Sequence, residues 1–179
     1  MGGTECNAGS GQLMAFKVFD ERNVHTSDIL DDYGKSILLM KVLKEHEKEF
    51  TYYGKMIGKS GFVEKTKSML SELYQYQVTE NVLEEAMGGL SPEQSLYYKL
   101  SDMKIILTAF EKAMGDSYMV AEQILSLLSE TVQESELLRG AEIYFDGFTG
   151  FTPIQYQVIE ALMKHAANLH FVFTMDGDL

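Results

Sequence analysis

The sequence is poor in the residues that build covalent cross-links and metal sites. It has one cysteine, Cys6, two prolines and no tryptophan in 179 residues. A lone cysteine excludes an internal disulfide and a thiolate zinc site, and a reducing, cytoplasmic setting is expected. No stretch approaches the ~20 apolar residues of a membrane span, and no basic-then-apolar leader opens the chain. His25, His46, His165 and His170 have no metal-ligand spacing such as His-x-x-x-His, and Cys6 has no partner for a thiol dyad. Ordinary surface or core histidines are expected.

What is present suits a compact globular chain. Hydrophobic residues make up 45% of it and charged residues 23%, which excludes disorder and permits a sizeable core. Eleven methionines are scattered at helical spacing and read as gap-filling core residues. The net charge of −12 argues against indiscriminate nucleic-acid binding by the whole surface. That charge is unevenly spread. Residues 1–34 carry −4, residues 35–67 carry +4 from eight lysines against four glutamates, and residues 68–179 carry −12. A solvated helix face is the ordinary explanation of such a basic run; a contact surface for phosphates is the sharper one.

Residues 1–11 are small and polar and read as a flexible lead-in. From Leu13 to Leu138 the apolar residues recur at three and four, the helical period. Leu39, Leu43, His46 and Phe50 share one side of a helix, and a second helix follows Gly61. A short one near Thr79–Met87 ends at Gly88-Gly89. Ser91-Pro92-Glu93-Gln94 reads as a capping box with proline at the first helical position, and a further helix carries Val120 to Val132. The last forty residues change character. Ala141–Asp146 and Leu169–Met175 are short apolar runs that read as strands. Between them Thr152-Pro153-Ile154-Gln155 repeats the capping-box-plus-proline signature and opens a helix. Strand, helix, strand with short joints is a βαβ unit with parallel strands. Both strands look apolar on each face, as strands covered by helices on both sides are.

Two Gly-Lys-Ser triplets invite a phosphate-loop reading, which fails on spacing. Such a loop needs four residues between its first glycine and the Gly-Lys-Ser. Gly54 to Gly58 leaves three, and Ile29 stands where the other triplet would need glycine. Turn and helix-start roles are expected for both. The stronger feature is Asp146, at the carboxyl end of an apolar strand. A Walker-B aspartate holds Mg²⁺ against nucleotide phosphates from that position.

The run Asp146-Gly147-Phe148-Thr149-Gly150-Phe151-Thr152-Pro153-Ile154-Gln155 resembles motif II of superfamily 1 helicases. Asp146, Phe148, Pro153 and Gln155 match its spacing. Gly147 replaces the water-activating glutamate, and Gly150 replaces the second aspartate. Phe173–Asp178 looks like the start of motif III. This degenerate version resembles the B-subunit family of the bacterial AddAB (RexAB) ATP-dependent helicase/deoxyribonucleases. The resemblance extends from about Leu13 to the end. It includes Asp32–Leu39 as a helix start, Gly61–Val63 through Ser71–Leu73, and Tyr98-Lys99-Leu100-Ser101-Asp102. Met40 stands where that family would have arginine, a departure that weakens any phosphate contact there.

The resemblance implies a non-catalytic fragment of a complex that resects double-strand DNA ends for recombinational repair. The implied fold class is α/β and predominantly α. A helical insertion over residues 12–139 would precede a βαβ piece, residues 140–179, of a P-loop NTPase-like sheet. Asp146 and Gln155 would then be nucleotide and Mg²⁺ residues. Lys41, Lys44, Lys48, Lys55 and Lys59 are DNA-contact candidates, the first three expected on one helical face. Partners would be DNA and the A subunit, which is the helicase/nuclease, with no membrane. This fragment would hold no cofactor of its own; the ATP, Mg²⁺ and iron–sulfur cluster of the parent complex would be located outside this chain. The alternative is a free-standing helical protein-interaction module.

Overall fold

A computed structural model describes residues 4–6 and 8–173, with side chains from Gly11 onward. Among the described residues the chain is predominantly helical with two small parallel sheets, and it divides into two compact units. Residues 27–120 form one unit; residues 1–26 and 121–179 together form the other. The division therefore falls elsewhere than the expected 12–139 and 140–179. The helices on either side of the insertion belong with the sheet, because they bury their apolar faces there.

In the discontinuous unit, β1 (Thr4–Cys6) leads to α1 (Ala8–Arg22), and after the insertion come α6 (Ala121–Thr131), β4 (Glu142–Phe145), α7 (Pro153–His165) and β5 (Asn168–Phe171). The strand order is β1-β4-β5, parallel throughout, with Ile143 opposite Leu169 and Phe145 opposite Phe171. The expected parallel βαβ unit is present. The expected flexible lead-in is not: part of it supplies the third strand, and α1 begins at Ala8. No local signal marks β1, which gains its hydrogen bonds from β4 after the chain has closed. Met175 and the residues resembling motif III from Thr174 onward lie outside the described residues.

The core of this unit joins Ala15 and Val18 of α1, Ile124 and Leu128 of α6, and Ile154 and Leu162 of α7, all nearly inaccessible. Ile143 and Phe145 face inward from β4, whereas Glu142 and Tyr144 are exposed. The expectation of strands apolar and covered on both faces is corrected. Tyr144 stacks on His170 at 4.4 Å across the open face, so an aromatic there covers its neighbouring strand rather than a helix.

A corner after α6 is held from two sides. The Ser135 hydroxyl donates to Glu21 Oε2 at 2.5 Å, and Leu137 N–H donates to Glu21 Oε1 at 2.9 Å. His165 Nε2 meets the Ser135 carbonyl at 2.5 Å. The Ser135 hydroxyl bond, with the amide bonds, holds the Glu21 carboxyl below its ordinary 4.5. A carboxyl whose folded pKa is depressed adds stability above its unfolded pKa. That addition disappears as pH falls through the folded value. Urea midpoints of the wild type and Glu21→Gln should therefore differ near neutral pH and converge in strong acid. A constant difference would refute the linkage.

The inserted unit begins with β2 (Asp28–Ile29), which pairs in parallel with β3 (Tyr118–Met119) at its end. Between them run α2 (Asp32–Glu45), α3 (Phe62–Gln75), α4 (Glu80–Gly88) and α5 (Ser95–Met114). Its core contains Leu39 and Leu43 of α2, Phe62, Leu70 and Leu73 of α3, Leu83 of α4 and Phe110 of α5. α2 starts where the Asp31 side chain accepts from Gly34 N–H at 2.7 Å, a side-chain cap. Two local expectations are corrected. The Ser91–Gln94 segment closes a turn, with Gln94 N–H on the Ser91 carbonyl, and α5 starts at Ser95 instead. α2 stops at Glu45, so Phe50 reaches the core from the following turns.

Candidate functional site

The strand end is built by β4 and α7. Asp146 follows β4 directly and is exposed. Gly147 has φ +77, a left-handed conformation that costs any residue with a Cβ. The turn that carries the chain away from the strand thus suits glycine, and the glutamate of the helicase motif would be strained there. Beyond it, Phe148 and Phe151 stack at 5.0 Å, and both meet the Phe145 ring edge-on at about 6 Å. Their rings line an apolar pocket of about 60 Å³, together with Met14, Leu128 and Val158.

Gln155 is the third residue of α7. Its Oε1 accepts the Thr152 N–H at 2.8 Å, which satisfies one of the orphan amides at the helix start. Its carbonyl oxygen is therefore committed to the cap. Asp146 thus offers an exposed carboxylate beside the aromatic loop, while the Gln155 side chain serves the helix start.

The lysines lie in the inserted unit. Lys41 and Lys44 are on α2, whereas Lys48 falls in the turns after its end, so the three do not share a helical face. The helix ends early because His46 caps it with its backbone N–H on Val42 and its ring on Glu49 at 2.7 Å. Lys55 sits in a single 3-10 turn, Gly54–Met56, and Lys59 precedes α3. Lys41 lies 3.9 Å from Glu45. Lys67, by contrast, is held by Asp32 at 2.7 Å and Glu64 at 2.8 Å, bonds that raise its pKa. Lys44, Lys48, Lys55 and Lys59 are exposed and make no ion pair among the described residues.

One residue that positions this surface carries no signal in the spacing of charges. Asp102 of α5 is 1% exposed. Its carboxylate accepts the backbone N–H groups of Thr51 at 3.0 Å, Tyr52 at 2.8 Å and Tyr53 at 2.7 Å. Three amides converging on one buried carboxylate pin the segment that leads to Lys55 and Lys59. Its only sequence mark is the Lys-Leu-x-Asp stretch.

The family model described as "ADDB, N-terminal" matches residues 7–179. Among the most similar proteins is the B subunit of an ATP-dependent helicase/deoxyribonuclease from Lachnoclostridium phytofermentans, 37% identical over 163 residues, covering 91% of this chain and 14% of that protein. Proteins of the same name from Desulforudis audaxviator and Bacillus subtilis are 36% and 35% identical over 93% and 91% of the chain. The chain spans only 15% and 14% of those two relatives' length. The family model covers nearly the whole chain, and the chain belongs to the AddB N-terminal family.

Proposed function

We propose that this chain is the N-terminal part of the B subunit of an ATP-dependent helicase/deoxyribonuclease, and that it contributes DNA contacts rather than catalysis. The observation that carries the DNA part is the set of unpaired lysines. Among the described residues, Lys44, Lys48, Lys55 and Lys59 stand free of carboxylates on an otherwise acidic chain. A local positive surface on an acidic body attracts a phosphate backbone there and repels it elsewhere. Lys41, 3.9 Å from Glu45, is the weakest of the five. The parent complex would resect double-strand DNA ends for recombinational repair in the cytoplasm, with the helicase/nuclease A subunit as partner. The three-stranded parallel sheet would be part of a P-loop NTPase-like domain whose phosphate loop lies outside this chain.

The test replaces Lys44, Lys48, Lys55 and Lys59 by alanine in the full-length protein assembled with its partner. Affinity for a DNA end is then measured over a salt series. Each lost phosphate contact should lower the log–log slope by about 0.7 to 0.9. An unchanged slope would return these lysines to the solvated surface.

With Asp146 alone at the strand end, the chain should show no saturable binding of Mg-ATP in calorimetry, because phosphates need a cradle of backbone amides. Micromolar binding would contradict it.

A further inference from the structure

We infer that the outer stripe of α2, with the groove at its carboxyl end, seats an amphipathic helix of a partner protein, acidic in its first turn and basic in its last. Tyr33, Ile37 and Met40 fall at spacings of four and three, on one side of α2. They are 82%, 64% and 50% exposed. Three large apolar side chains aligned in water on one helix face mark a contact surface, unlike apolar residues scattered singly. The stripe runs on into a groove of about 550 Å³ between α2 and the segment entering α3, where Leu43, Ile57 and Val63 join Met40. Gly58 and Gly61 line it with nothing within 4 Å of where a Cβ would stand, so a partner's backbone can come close on that side. From Tyr33 to Lys44 is about 16 Å along the axis, the length of three turns of a second helix. Such a helix places its anchors at i, i+3, i+4 and i+7 and lays them into an apolar groove.

The charges along this surface change sign from end to end, which selects the class of partner and its direction. Lys44 and Lys59 line the groove and make no ion pair among the described residues. Lys67 bridges Asp32 and Glu64 at 2.7 and 2.8 Å. That leaves two ammonium groups against Glu47 at one end of the stripe and the exposed Asp31 at the other. A nucleic-acid strand is negative throughout and would meet Asp31 with like charge. Its bases also stack on rings, and Tyr33 is the one aromatic residue of the stripe and groove named above. A helix with carboxylates in its first turn and ammonium groups in its last meets opposite charge at both ends. The same placement of charge suits that helix's own dipole. It lies antiparallel to α2, with its first turn over Lys44 and Lys59. The inference stands apart from the DNA reading but shares those two lysines with it, so helix and DNA backbone exclude each other there.

The experiment measures fluorescence anisotropy of the 179-residue chain with labelled synthetic peptides of about 14 residues, long enough for three turns. Each is held helical by a side-chain cross-link on its outer face. The first has leucines at i, i+3, i+4 and i+7, glutamates in its first turn and lysines in its last. The second exchanges the two charged ends, and the third scatters the leucines. The first should bind about tenfold more tightly than either other peptide. Ile37→Ala with Met40→Ala should weaken it about tenfold and move the thermal midpoint by less than about 2 °C, since both side chains are exposed. Lys44→Ala with Lys59→Ala should bring the first peptide down to the level of the second. Equal binding of the first and second peptides, or no effect of the Ile37 and Met40 changes, overturns the inference. An oligothymidylate that displaces the first peptide and is itself weakened by the Ile37 and Met40 changes would give the stripe to nucleic acid, and overturns it too.

Discussion

Asp102→Ala should destabilise the inserted unit by about 3 kcal/mol, the scale of losing a charged acceptor shared by several amides. The carboxylate is 1% exposed and accepts three consecutive backbone N–H groups. Alanine would leave those donors without their acceptor and a void in its place. Thr51 and Tyr52 are exposed, so water recovers part of the loss and the three bonds do not add in full. In thermal unfolding the midpoint should drop by roughly 10 °C. Asp102→Asn should rescue little, since the amide keeps one acceptor oxygen and turns an NH₂ toward another donor. A drop below about 2 °C for alanine would mean that solvent replaces the carboxylate, and the pinning role would fail. Proteolysis of the 51–61 segment should rise in parallel, because its tether to α5 is gone.

Leu128→Ala should cost about 4 kcal/mol, near the upper part of the range for buried leucines. Leu128 is fully inaccessible on α6, the helix that packs against both α1 and α7. It also lines the apolar pocket of about 60 Å³ that Phe148 and Phe151 line. Removing its branched end adds to that unfilled space, and a larger residual cavity raises the cost. Leu137→Ala provides the comparison. Leu137 is 53% exposed and should change stability by less than about 0.5 kcal/mol. Urea midpoints of the two variants at equal slope measure the difference. Similar values for both would show that this unit collapses around the missing side chain.

Much of the helical framework was legible in order. α3 begins after Gly61, α4 ends at Gly88, and Pro153 opens α7, because each of those marks acts within one turn of the chain. The parallel pairing of β4 with β5 follows for the same kind of reason: a short joint on each side of a helix leaves the second strand running with the first. Local marks failed where a competing contact stood close by. Ser91 closes its own turn instead of capping α5, and the His46 contacts end α2 before Lys48. At the candidate site, Asp146 at a strand end and Gln155 in the Thr152–Gln155 capping box were both readable, because each depends on neighbours within one turn.

The amino-acid order by itself determined the helical periodicity, the βαβ close and the concentration of lysine in residues 35–67, since each depends on neighbours a few positions away. The tertiary structure decided the rest. It set Thr4–Cys6 beside β4 and assigned α1 and α6 to the sheet unit. It also brought Asp102 under a backbone segment 49 to 51 residues earlier. Those contacts join distant parts of the chain, and their hydrogen bonds and buried area exist only once the intervening residues have closed.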